Sequence, residues 1–128
     1  MYQFVIPIHH VNWSTRSVLE GISQKYKPKQ IYVVTSDHEI KIFKDKSNSW
    51  DIENLTLLDE DNFFLNKYGL TKKDIVSQIT QNKPNYSSGW LYQQIIKLGA
   101  SDVIDELEDV FLIWDADLLP VKSWPILD

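Results

Sequence analysis

Val110-Phe111-Leu112-Ile113-Trp114-Asp115-Ala116-Asp117 is an unbroken apolar run that ends in two carboxylates one residue apart. Five apolar residues in succession, without alternation, read as a strand covered on both faces, as in the interior of a parallel α/β sheet. The acids then stand at its carboxyl end. On extended backbone, side chains two residues apart point the same way, so Asp115 and Asp117 are expected on one side, about 7 Å apart along the chain. Two carboxylates about 5 Å apart at an effective dielectric near 20 repel by roughly 3 kcal/mol, a cost that a bound divalent cation removes. Mg²⁺ or Mn²⁺ takes oxygen ligands, few of them from protein, and completes its shell with water and phosphate oxygens. A nucleotide diphosphate suits that need. The plainer reading is a strand end turning into solvent, where Asp is a frequent turn former.

Working outward, Tyr2 to Ile8 is rich in aromatic and β-branched residues and reads as a first strand. A helix follows, capped by Ser14 or Asn12, with Val18, Leu19 and Ile22 on one face and Pro28 beyond its end. Gln30 to Thr35 is a second strand, completing a β-α-β unit of the kind that is almost always right-handed with parallel strands. Residues 37 to 53 are mixed, with Lys41, Lys44, Asp45 and Lys46 in a polar stretch and Ile40, Ile42 and Phe43 as candidates for a short amphipathic piece. Leu55 to Leu58 reads as a third strand ending in Asp59-Glu60-Asp61. Asn62 to Tyr68 and Thr71 to Thr80 read as helices separated by Gly69. Residues 84–89 form a loop. Trp90 to Leu98 is helical, with a second helical piece near Ser101 to Leu107.

Four strands alternating with helices predict a Rossmann-like, doubly wound, mainly parallel sheet in the order 3-2-1-4. Winding then reverses between the first strand and the last, so the ligand crevice opens where the loop 7–13 meets residues 115–120.

The 128 residues have one domain's length, and 43% hydrophobic residues fill a modest core. A formal net charge of −5 argues against a general nucleic-acid surface, which needs clustered Lys and Arg. With no cysteine, thiolate catalysis and Cys-ligated zinc are excluded, and the composition suits the cytoplasm. No run of 18 apolar residues predicts a transmembrane segment, and the first residues lack the basic start of a signal peptide. Sequons at Asn12, Asn54 and Asn85 are too short a pattern to carry weight.

A second constellation is Gly89-Trp90-Leu91-Tyr92-Gln93-Gln94-Ile95-Ile96-Lys97-Leu98. At 100° per residue, Trp90, Gln93, Gln94 and Lys97 share one arc, with Leu91, Ile95 and Leu98 on another side. Two amides, an ammonium and an indole N–H offer donors to hydroxyls or phosphates. An ordinary solvated helix face is the competing reading.

Taken together, the Gly-Trp-x-x-Gln-Gln-x-x-Lys-Leu stretch and the hydrophobic run into Asp-Ala-Asp resemble the nucleotide-diphospho-sugar transferase superfamily, the GT-A glycosyltransferases. The likeness is greatest to small bacterial members that carry this Trp-Gln-Gln-Lys helix. It spans roughly residues 2 to 121. The resemblance implies a single nucleotide-sugar-binding α/β domain over residues 1–128, the nucleotide-binding half of a GT-A fold. Asp117 would be the main ligand of a Mn²⁺ or Mg²⁺ on the donor diphosphate, and Asp115 would bind the ribose or assist the metal. Lys97, with Gln93 or Gln94, would face the donor sugar or diphosphate, beside Trp90. His9 and His10 would border the nucleotide, and Thr35 or Asp37 would reach its base or ribose.

The implied partners are a nucleotide-sugar donor and an unidentified glycan, lipid or protein acceptor. The family also needs an acceptor part after the acids, with a further metal ligand and any catalytic base. Only Leu118 to Asp128 follow, so the expectation is a domain incomplete at its C-terminus, with no catalytic base assigned.

Two rivals differ in kind. Haloacid-dehalogenase phosphatases also use hydrophobics followed by Asp-x-Asp, the first Asp attacking phosphate. They place the motif near the start and need Thr or Val two residues after the second Asp, where this chain has Leu119. The other rival is a nucleotide-binding or interaction module that keeps the fold without turnover.

Overall fold

Two strands carry the core. β1 (Gln3–Pro7) and β2 (Gln30–Thr35) pair in parallel from Gln3↔Gln30 to Pro7↔Val34. Their side chains alternate between the faces of the sheet, so each face collects its own apolar cluster. Phe4, Ile6, Ile31 and Val33 pack with Val18, Leu19 and Ile22 of α1 (Thr15–Tyr26) and Phe43 of α2 (Asp37–Ser47). On the opposite face, Val5, Tyr32 and Val34 pack with Phe63 and Phe64 and with Tyr92, Ile96 and Ala100 of α5 (Ser88–Val103). β3 (Leu55–Asp59) joins β2, and β4 (Leu112–Ile113) joins β1 through Phe4↔Leu112 and Val5↔Ile113.

A computed structural model of the chain, described over residues 2–82 and 87–120, is therefore an α/β layer structure with a four-stranded, all-parallel sheet in the order β3-β2-β1-β4. Helices cover both faces. Winding reverses between β1 and β4, as expected. Among the described residues no helix is long and apolar enough to cross a membrane.

Four local expectations are corrected. The final strand is two residues long and lies at the sheet edge, with Val110 57% and Ile113 40% exposed, so it is not covered on both faces. Asp115 and Asp117 follow it in a turn, where the same-side rule for extended backbone does not apply. Residues 37–47 form a full helix, capped by the Ser36 side chain, which accepts from Glu39 N–H. The last helix is continuous from Ser88 to Val103, and its buried stripe is Tyr92, Ile96 and Ala100, whereas Leu98 is 84% exposed.

Other boundaries move less. Asn62–Tyr68 contracts to α3 (Leu65–Tyr68), and α4 runs over Lys72–Asn82. Gly69 (φ +69) ends α3 in the left-handed conformation that glycine adopts without a Cβ penalty. Of the expected 84–89 loop, residues 84–86 lie outside the described residues, as does Asn85.

Tyr92 ties α5 to the end of β3. It is wholly buried, and its hydroxyl donates to the Glu60 carbonyl. Burial first, then the charges of Glu60, Asp61 and Asp59, pushes its phenol far above the ordinary value of 10.0. The folded chain thus holds this proton more tightly than the unfolded chain, so stability falls as pH rises past about 10. Tyr92→Phe orphans the Glu60 carbonyl and is expected to cost about 1–3 kcal/mol in urea unfolding near neutral pH. The same variant should lose less stability than the wild type between pH 9 and 11, both conditions being read from urea midpoints.

Candidate functional site

The switch point opens as a cavity of about 450 Å³ at the carboxyl ends of β1 and β4. Among the described residues, four pieces of chain line it. Pro7 to His10 and Asn12 come from the loop after β1, and Ser14 and Thr15 from the start of α1. Trp90, Gln93, Gln94 and Lys97 form the α5 wall, and Asp115 to Asp117 form the turn opposite.

The α5 wall follows from burial elsewhere on the helix. Tyr92 and Ile96 are fixed in the core, so Gln93 and Lys97, each one residue and 100° further round, face the cavity. Trp90 lies on the same wall and is 57% exposed.

The acids are positioned by Trp114. Its backbone N–H donates to Val5 O at 3.1 Å, extending the β1–β4 ladder by one bond. Its buried ring packs edge-on against Phe4 and Tyr26, with centroids 6.0 and 5.8 Å away. The indole N–H donates to Leu118 O at 2.7 Å, and Leu118 N–H donates to Asp115 O at 3.1 Å, closing the turn around Asp115 and Asp117. Lys97 Nζ donates to Asp115 Oδ1 at 2.9 Å, so within the chain an ammonium balances this acid. Among the described residues no group of three or more His, Cys, Asp or Glu side chains is arranged to hold a metal ion. Among the described residues the carboxylates that line this cavity are Asp115 and Asp117, and Mg²⁺ is commonly bound through one or two carboxylates, with water and phosphate oxygens completing its shell.

The loop after β1 is held from below by Glu39. This residue is buried, and its carboxylate accepts from Val11 N–H at 3.1 Å and pairs with His10 Nδ1 at 3.0 Å. The His9 and His10 rings lie 4.1 Å apart at the cavity wall. At the start of α1 the Asn12 side chain accepts from the N–H and hydroxyl of Ser14, while Thr15 Oγ1 accepts from Asn12 N–H. The loop therefore arrives braced, and the positive end of the α1 dipole faces the cavity.

Asp117, Asp115, Lys97, Gln93, Gln94, Trp90 and His9 are thus brought together, and His10 with them. Asp37 is not. It is exposed in the first turn of α2, paired with Lys41 at 3.4 Å, and does not line the cavity. Thr35 is fully buried and also outside the cavity. The end of β2 instead contributes through Glu39, which the sequence reading missed. Its signal was Ser36-x-x-Glu39, the pattern of a capping box. Ser36 does cap α2, but the Glu39 side chain turns to His10 and Val11.

Residues 16–127 match the model of DUF6492, described as a family of unknown function. The chain belongs to DUF6492. The DUF6492 match takes in the α5 wall and both acids and begins after β1. No curated protein and no solved structure matches the chain.

The His10 and Val11 hydrogen bonds, in that order, hold the Glu39 carboxyl below its ordinary value of 4.5. That contribution to stability is present above pH 4.5 and is lost as pH falls through the lower, folded value. Glu39→Gln keeps the shape but not the charge, so the Val11 amide should lose protection by about tenfold in hydrogen exchange near neutral pH. In the wild type the same protection should decline below about pH 4.5, and in the variant it should not.

Proposed function

We propose that this chain provides the donor-binding part of a metal-dependent glycosyltransferase, with a nucleoside diphosphate sugar in the cavity between α5 and the Asp115–Asp117 turn. One observation carries the reading. The Trp-Gln-Gln-Lys stripe and the Asp-x-Asp pair, 18 residues apart from Lys97 to Asp115, line a single crevice at the point where the sheet winding reverses. Open α/β sheets bind ligands at that point.

In this reading Asp117 holds a Mn²⁺ or Mg²⁺, and Asp115 assists it or binds the ribose. Bound there, the metal supplies Lewis-acid stabilisation of the leaving diphosphate. Lys97 is the exchangeable partner. Its pair with Asp115, whose side chain is more than half exposed, contributes about 0–1 kcal/mol. Diphosphate oxygens can therefore draw the ammonium across at little cost. Gln93 and Gln94 offer amides to sugar hydroxyls or phosphate, and His9 and His10 border the nucleotide beside Trp90. The acceptor is a glycan, lipid or protein. The proposed compartment is the cytoplasm, supported by a sequence without cysteine.

The Lys97–Asp115 pair favours a second reading as well: a nucleotide-binding module without turnover, in which the ammonium permanently takes the place of the cation. The two readings part on metal dependence. A thermal-shift panel of nucleoside diphosphate sugars should raise Tm with Mn²⁺ and much less without it, a competent site adding RT ln(1 + [L]/Kd) to the stability. Asp117→Asn should abolish the metal-dependent part while leaving the ligand-free Tm unchanged within a degree or two. Lys97→Ala should weaken nucleotide-sugar binding about tenfold, the scale of one charge-assisted hydrogen bond. Equal stabilisation with and without metal would select the module, and no stabilisation by any nucleotide sugar would refute both.

A further inference from the structure

On the α5 side of the sheet, the described residues cover β3 only in part, Leu58 packing against the cluster that α5 joins. α5 packs over β1, and all five residues of β3 remain partly exposed. The gap beside it is a cavity of about 560 Å³ that shares no lining residue with the candidate site. Its floor is the sheet face around Tyr32, Thr56 and Leu58, where Tyr32 and Thr56 are register partners. Phe63, from the turn before α3, and Ile104, from the end of α5, add apolar walls.

Hydrogen-bond acceptors converge on this apolar bed. Tyr32 is 6% exposed, and its ring belongs to the core. Its hydroxyl opens into the cavity and bonds to no described residue. Asp105 and Glu106, at the rim, carry carboxylates that form no hydrogen bond or ion pair with any described residue. A third acid, Asp59, is already satisfied by Asp61 N–H and the Asn62 amide. Among the described residues no Lys or Arg lines the space. A phenol oxygen that opens to the cavity and that no described residue bonds, beside two exposed carboxylates that no described residue pairs with, suits a ligand rich in donors and positive in charge.

We propose that this second cavity binds an organic ammonium ligand, its hydrocarbon stem on Leu58, Phe63 and Ile104 and its NH₃⁺ donating to the Tyr32 oxygen and to the carboxylates of Asp105 and Glu106. An ammonium has three donors and no acceptor, which matches this set. A neutral alcohol of the same length fills the space but leaves the charges uncompensated. Burial and then the Glu106 charge raise the Tyr32 phenol above its ordinary value, so it stays neutral with its lone pairs available. The inference does not rest on the nucleotide-sugar reading.

The test is an amide NMR titration of the full chain with 1,5-diaminopentane and, separately, with 1,5-pentanediol. The diamine should produce saturable shifts centred on Tyr32, on Asn66 of α3, which also lines the cavity, and on residues 103–106, and the diol should not. Tyr32→Phe removes only an unbonded hydroxyl, so its thermal midpoint should be unchanged while diamine affinity falls about tenfold. Glu106→Gln should weaken the diamine by a similar factor. Equal binding of the diol would overturn the ammonium assignment. Shifts that never saturate, or that spread over all the acidic surface, would overturn the site, as would unchanged affinity in Tyr32→Phe.

Discussion

The anchoring of Trp114 in the core is the constraint on which the candidate site depends. β4 alone contributes two residues of ladder, and each backbone hydrogen bond there nets only about 0.5–1.5 kcal/mol. Such a strand would fray. The indole adds two edge-on aromatic contacts, each worth about 0.5–1.5 kcal/mol beyond the area it buries, and a burial term larger than either. It also reaches forward to Leu118, so one side chain fixes the strand end and the turn that carries both acids. The acids face the loop after β1 because their neighbour is packed on Phe4 of that strand.

α5 obeys the same logic from the other side. With Tyr92, Ile96 and Ala100 held in the core, the helix has no rotational freedom left, and the positions one step on from the first two are committed to the crevice. Gln93 and Lys97 are therefore set by residues that never touch the cavity. This is why a helix whose surface looks ordinary in isolation becomes one wall of a site: its orientation is determined by its buried stripe, and its polar face is what remains.

Strand order and layer arrangement were legible because β1 and β2 are buried on both faces and their composition reports it. The cavity wall on α5 was legible for a similar reason, since helical period alone groups Trp90, Gln93, Gln94 and Lys97. What could not be read was anything decided by neighbours distant in sequence. Val110 to Trp114 has the composition of a central strand, yet only β1 flanks it among the described residues, so most of the run stays half-exposed. Leu91, Ile95 and Leu98 form as good an apolar stripe as Tyr92, Ile96 and Ala100, and only the sheet chooses between them. Period is also silent on Lys97 meeting Asp115, and on Glu39 leaving its own helix cap for His10 and Val11. Asp37 differs again: the family resemblance put it near the base or ribose, whereas the fold sets it in the first turn of α2, outside the lining of the switch-point cavity.

Charge placement separates the two cavities more sharply than shape does. At physiological salt, exposed charges are screened beyond about 8 Å, so the formal net charge of −5 says little about what enters either opening. Local groups decide. The switch-point cavity sets Lys97 and the positive end of α1 against two carboxylates, an arrangement of both signs that suits an anion carried together with its cation. The cavity beside β3 has carboxylates and a phenol and, among the described residues, no Lys or Arg in its lining. A diphosphate entering there would meet Asp59, Asp105 and Glu106 with no cation in the described lining, whereas the switch-point cavity carries the Lys97 ammonium in its wall.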